Sequence, residues 1–155
     1  MGRLFLDDTK LGHHFEEVDK WMKGESFAPI HLEISPTSTC NHKCSFCYVD
    51  YKKDEVVSMK RDVLLKLIKS CKNVGVKSVL LAGDGEPLVN KHTPEAIELA
   101  GKIGLDIALN SNGVLLTPDI SKRILPHLSW MRISVMSSEP ENYARLHGTK
   151  SDDFE

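Results

Sequence analysis

Four short runs of strand character alternate along this chain with four amphipathic runs of helical spacing, and that order admits few folds. "PIHLEIS" (29–35) alternates apolar and polar residues, while "KSVLLAG" (77–83), "LDIALN" (105–110) and "WMRISVM" (130–136) are short and mostly apolar. Between the first two, "KRDVLLKLIKSCKNVG" (60–75) places Val63, Leu64, Leu67, Ile68 and Cys71 on one helical face, with Gly75 as its stop. "TPEAIELAGKIG" (93–104) reads as a helix with Thr93 as N-cap, Pro94 in the first turn and Gly104 closing it. "TPDISKRILPHL" (117–128) opens the same way and Pro126 ends it. "SEPENYARLHG" (138–148) is the fourth helix, with Ser138 and Glu141 at capping-box spacing and Gly148 as its stop. Parallel strands need crossovers of this length, and such crossovers are right-handed. The predicted fold class is therefore α/β, with parallel (β/α) repeats that are doubly wound or curl toward a barrel.

Ahead of these repeats, Leu11, Phe15, Val18 and Met22 follow helical spacing beside Trp21, and Gly24 stops them. Residues 1–28 are expected to form an N-terminal helical extension, and 29–155 the core. A chain of 155 residues buries a core without disulfides. The formal net charge of −2 gives no support for a nucleic-acid substrate, and no apolar run is long enough for a bilayer. No secretory signal opens the chain, which reads as cytoplasmic. In a reducing compartment, closely spaced cysteines more often bind metal or do redox work than form disulfides.

The unusual residues all follow strands. Cys40, Cys44 and Cys47 come after the first, "GDGEP" (83–87) after the second, "NSNG" (110–113) after the third and "SVMSSEP" (134–140) around the end of the fourth. A parallel sheet gathers its carboxyl ends on one rim, where ligand sites of such folds lie. Three thiolates at C-x3-C-x2-C spacing suit a cubic 4Fe–4S cluster with one iron left open. Lys43 is expected to favour the thiolates, and Phe46, Tyr48 and Tyr51 to shield the cluster. The rival is zinc with His42 as fourth ligand, although a short loop leaves His42 little freedom to turn inward. "GDGEP" reads either as a tight turn or as a backbone approach to a ligand, with Glu86 ready for an ammonium group. "NSNG" reads as a turn or as cavity lining, and Ser134 as a ligand contact or a buried strand hydroxyl. Cys71, Trp21 and Trp130 read as packing, and Asp50 and the acidic tail Asp152–Glu155 as solvated.

Taken together, Cys40-x3-Cys44-x2-Cys47 with Phe46 before the last cysteine, "GDGEP", "NSNG" and "RISV" resemble the radical S-adenosylmethionine (radical SAM) superfamily over about residues 29–148. The resemblance implies a partial TIM-type barrel, of which this chain carries about four of the usual six βα units. A fragment is the expected explanation, ahead of a partner chain that completes the barrel or a lost chemistry. The resemblance further implies that Cys40, Cys44 and Cys47 ligate the 4Fe–4S cluster, whose open iron is chelated by S-adenosylmethionine (SAM). Gly83, Asp84, Gly85 and Glu86 would hold the methionyl ammonium, Phe46 would pack near the adenine, Ser134 would reach the ribose or carboxylate, and Asn110 or Asn112 would line the cavity. An electron donor such as flavodoxin or ferredoxin would feed the cluster. The resulting 5′-deoxyadenosyl radical would take hydrogen from a peptide or small metabolite. Met136 stands where the family often has an acidic residue. The alternative is a non-catalytic Fe–S or zinc-binding interaction module.

Overall fold

The computed structural model describes residues 10–49 and 56–154. Tyr51, Asp50 and Glu155 therefore lie outside the described residues. Helix α1 (Phe15–Met22) precedes β1 (His31–Ile34), α2 (Arg61–Val74), β2 (Ser78–Leu81), α3 (Thr93–Lys102), β3 (Asp106–Ser111), α4 (Pro118–Ile124), β4 (Trp130–Ile133) and α5 (Pro140–His147). The strands form one parallel sheet in the order β1-β2-β3-β4, as the alternation predicts.

The pleat sorts side chains to two faces. Val79, Leu81, Ile107 and Leu109 bury against Leu64, Ile68 and Cys71 of α2, Ala96, Ile97 and Ala100 of α3, and Ile124 of α4. Leu80, Ala82 and Ala108 form a separate, smaller cluster on the other face. Their small size leaves room there, and that room becomes the site. Leu64 and Ile97 have no exposed surface. Replacing either with alanine removes buried methyl groups and leaves a cavity, so urea unfolding of Leu64→Ala is expected to show a loss of about 2–5 kcal/mol.

Helix boundaries follow local chemistry with small shifts. Thr117 caps α4, its hydroxyl accepting from the Ile120 N–H at 3.3 Å. Pro126 sits inside a short 3-10 turn (Leu125–His127) that follows α4, so the α-helix stops two residues earlier than proline alone predicts. Thr93 does not cap α3. It is fully buried inside the helix, and its hydroxyl donates to the Pro87 carbonyl, leaving His92 as N-cap. The Ser138–Glu141 capping box does not form either. Glu139 is the N-cap of α5, and its N–H donates to Ser137 Oγ at 3.0 Å. Val63 lies on the solvent side of α2 at 49% exposure. Trp21 and Trp130 are not core residues. Trp21 is 67% exposed because its short helix packs only one side, and Trp130, on an edge strand, is 38% exposed. Cys71 is buried, as expected.

Candidate active site at the carboxyl rim

The β2 loop is built to touch the cysteine loop. A side chain at Gly85 would meet the Thr39 carbonyl oxygen and come within 2.6 Å of the Thr37 carbonyl oxygen. Only glycine permits that approach. The contact is fixed by the Glu86 N–H, which donates to the Thr39 carbonyl at 3.0 Å, and by the Asp84 N–H, which donates to Ser35 Oγ at 3.2 Å.

Glu86 is buried and braces the ends of two strands. Its Oε1 accepts from the Leu88 N–H (3.0 Å) and the Ser111 hydroxyl (2.9 Å), and its Oε2 from the Asn112 N–H (2.8 Å). A carboxylate has about four acceptor positions, so about one remains for a ligand. Asn112 carries the brace onward, its Nδ2 donating to Asn41 Oδ1 in the cysteine loop at 2.8 Å. Three loops from three strands are thereby locked together. Ser111, which makes the second of these bonds, lies inside the "NSNG" run, but a serine at a strand end carries no pattern that marks its role.

The rim opens into a cavity of about 410 Å³, within the range of small-ligand pockets. Cys40, Cys44, Phe46, Gly83, Gly85, Glu86, Asn110, Asn112 and Ser134 all line it. Asp84 and Cys47 sit in the same loops without lining it. The Cys47 N–H donates to the Cys44 carbonyl at 3.0 Å, closing a tight turn. The Oδ1 of Asn110 is buried without a hydrogen-bond partner, an acceptor left over for a ligand donor. Glu33, unmarked in the sequence, and Arg132, which opens the "RISV" run, add one charge of each sign to the lining from β1 and β4. A larger hollow of about 590 Å³ lies at the amino ends of the strands, away from the cysteines.

Helix α5 clamps the cysteine loop from outside. The Lys43 and Ser45 N–H groups donate to the His147 and Leu146 carbonyls at 3.1 and 2.9 Å. Gly148 has φ of +58°, and a side chain there would run into the Lys43 carbonyl. His42 is turned inward and buried, contrary to the expectation that the loop would hold it out. The α5 helix supplies the pocket that makes this possible: His42 packs edge-on to Tyr143 and His147, and its Nε2 lies 3.6 Å from an Asp153 carboxylate oxygen. Asp153 is accordingly half-buried rather than solvated, while Asp152 is exposed. Phe46 packs edge-on against His147, and Tyr48 lines the cavity from its open side, 74% exposed.

Burial pushes the Cys44 thiol up to about 11, with the charges of Cys40 and Cys47 acting in the same direction. Cys40 is also pushed up, first by desolvation of its sulfur and then by Glu86 and Cys47. Lys43 does not lower either one; its side chain is exposed. Without a metal these two thiols are protonated at neutral pH, and loading releases protons. Alkylation of Cys44 in the metal-free chain is expected to speed up about tenfold per pH unit from pH 8 toward 11, as the thiolate fraction grows. A rate flat above pH 9 would contradict the shift. Because the unfolded thiol ionises first, the same group lowers stability as pH rises above its ordinary value of 9.0.

Among the described residues, the trio of metal-ligating atoms lying mutually within 4.8 Å is that of His42, Cys44 and His147. Cys40, Cys44 and Cys47 do not form such a trio, although the charges of Cys40 and Cys47 act on Cys44 and that of Cys47 acts on Cys40. A single ion held by all three sulfurs would need them closer than that, whereas a 4Fe–4S cluster takes its thiolates on separate irons.

A family model described as the radical SAM superfamily matches residues 34–155. The chain belongs to the radical SAM superfamily. Radical SAM proteins use a 4Fe–4S cluster and SAM, and the cysteine loop, glycine loop and orphaned Asn110 oxygen fit such cofactors. One curated relative is the S-adenosylmethionine-dependent nucleotide dehydratase of Lacinutrix mariniflava, 30% identical over 69% of this chain and 23% of the relative. Another is a probable GTP 3′,8-cyclase of Methanococcus maripaludis, 31% identical over 79% of this chain and 41% of the relative. The chain thus spans less than half the length of these relatives. Among solved structures, Streptococcus suis SuiB bound to S-adenosylmethionine superposes with a TM-score of 0.71 at 19% identity, covering 99% of this chain and 36% of that one. The likeness establishes the fold, a radical SAM sheet whose four strands form part of a barrel. No helix among the described residues is long and apolar enough to cross a membrane.

Proposed function

We propose that this chain carries the cluster- and SAM-binding part of a radical SAM enzyme that acts on a small anionic metabolite, nucleotides included. The observation that carries the reading is the convergence of all four rim motifs on one cavity. When bound, a 4Fe–4S cluster would supply the electron for reductive cleavage of SAM, the chemistry by which hydrogen would be taken from the substrate.

The chain's own residues set the geometry. Cys40, Cys44 and Cys47 hold the cluster. Gly83, Asp84 and Gly85 bring backbone close to the methionyl ammonium, and the remaining acceptor position of Glu86 receives one of its protons. Asn110 and Asn112 line the cavity, Asn110 offering its unpartnered oxygen to a ligand donor. Ser134 reaches the ribose or carboxylate, and Phe46 covers the adenine. Arg132, on the same face, suits a phosphate or carboxylate of the substrate. The nucleotide-directed relatives support that choice over a peptide. Residues 29–155 act as the core and 1–28 as a helical extension. A flavodoxin or ferredoxin in the cytoplasm serves as electron donor.

The test is anaerobic reconstitution with iron and sulfide, followed by dithionite and SAM, with 5′-deoxyadenosine measured by chromatography. The wild-type chain is expected to form it, and the Cys40→Ala, Cys44→Ala and Cys47→Ala variants to form none. A fully loaded chain that binds SAM but never cleaves it would favour a non-catalytic module.

A further inference from the structure

His147 is completely buried in an aromatic sandwich. Its ring stacks on Tyr143 with centroids 4.1 Å apart, and Phe46 stands edge-on at 5.2 Å. A phenylalanine or leucine would fill such a place at no polar cost. Burying an imidazole there costs free energy unless its nitrogens find partners. Its Nδ1 lies 3.5 Å from Cys44 Sγ, and its Nε2 has no partner. Among the described residues, the one hydrogen-bond contact of this buried ring is therefore with a sulfur of the cysteine loop.

Chemistry fixes the direction of that contact once iron is bound. In the metal-free chain either partner can donate, because a thiol and an imidazole each carry a proton and an acceptor. An iron-bound thiolate has no proton and only accepts. The imidazole must then carry its hydrogen on Nδ1. The backbone fixes the ring's position as well, since the His147 carbonyl accepts from the Lys43 N–H beside Cys44.

We propose that His147 is a positioning residue for the cluster, donating an Nδ1–H hydrogen bond to the Cys44 thiolate and thereby raising the cluster's reduction potential. The inference rests on the radical SAM reading above. Reduction adds negative charge to the cluster, so a donor to one of its sulfurs stabilises the reduced form more than the oxidised form. Cys40 Sγ accepts from the His42 backbone N–H at 3.4 Å, so what sets Cys44 apart is a side-chain donor, which substitution can remove.

Three variants separate this role from packing. His147→Phe keeps the aromatic sandwich and removes the donor. His147→Asn places an amide nitrogen near the position of Nδ1. His147→Gln places it farther out, near Nε2. Each is reconstituted as the full chain, its iron is counted, and the cluster is titrated with dithionite while the reduced signal is followed by electron paramagnetic resonance. At a fixed ambient potential, the reduced-to-oxidised ratio is expected to fall about tenfold in His147→Phe and His147→Gln, which is about 59 mV for a one-electron couple. His147→Asn is expected to return most of that loss. Equal midpoints in Asn and Gln variants that both load iron would overturn the proposal, whatever the Phe variant does. Failure of all three to load iron while wild type loads would also overturn it, in favour of a purely structural histidine. A wild-type chain that takes up zinc through His42, Cys44 and His147 instead of a cluster would overturn both this proposal and the reading beneath it.

Discussion

Gly85→Ala is expected to unfold the rim while leaving all three cysteines of the loop in place. The added methyl group would collide with the Thr39 and Thr37 carbonyls, which are backbone atoms and cannot swing away. The β2 loop would have to retreat from the cysteine loop, breaking the bond from the Glu86 N–H to the Thr39 carbonyl. Overpacking of this kind costs about 3 kcal/mol, measurable as a lower urea midpoint. Iron uptake should fall with it, because the cysteine loop loses its support. Gly12→Ala is the control. Nothing lies within 4 Å of a side chain there, so its effect should stay within about 0.5 kcal/mol. Equal stability of the two variants would show that the loops do not bear on each other as described.

Glu86→Ala is expected to be at least as damaging. It strands the Ser111 hydroxyl and the Leu88 and Asn112 N–H groups, each of which loses a buried acceptor. An unsatisfied buried donor costs about 1–3 kcal/mol, so a total loss of about 4 kcal/mol is expected after relaxation. Glu86→Gln keeps one acceptor oxygen and should lose about half as much. If Glu86 served the ligand alone, both substitutions would weaken SAM binding and leave the metal-free chain's stability unchanged. Thermal unfolding of the metal-free variants separates the two roles, since no ligand is present to confuse them.

The repeat architecture was legible because its determinants are local. Apolar runs of strand length, helices bounded by Thr-Pro and glycine, and short connections each declare themselves within a dozen residues. The cysteine and glycine motifs were legible for the same reason. Contacts between distant segments were not. Nothing in "YARLHG" marks His147 as the neighbour of Cys44, which precedes it by 103 positions. His42 looked like an outward loop residue because the pocket that receives it comes from α5. Asp153 looked solvated because its partner is that same buried histidine. Glu86 was read as a ligand group, and its three protein donors became visible only when the strand ends met. Polar groups that belong to long-range networks have no periodicity to betray them, whereas apolar faces do.

If Cys40, Cys44 and Cys47 hold a cluster as proposed, SAM completes its open iron. The most direct measurement is the electron paramagnetic resonance spectrum of the anaerobically reconstituted, dithionite-reduced chain, recorded with and without SAM beside an iron count. The account predicts about four irons per chain and a reduced-cluster signal whose g values shift when SAM is added. Zinc in place of iron, or a cluster signal indifferent to SAM, would contradict it.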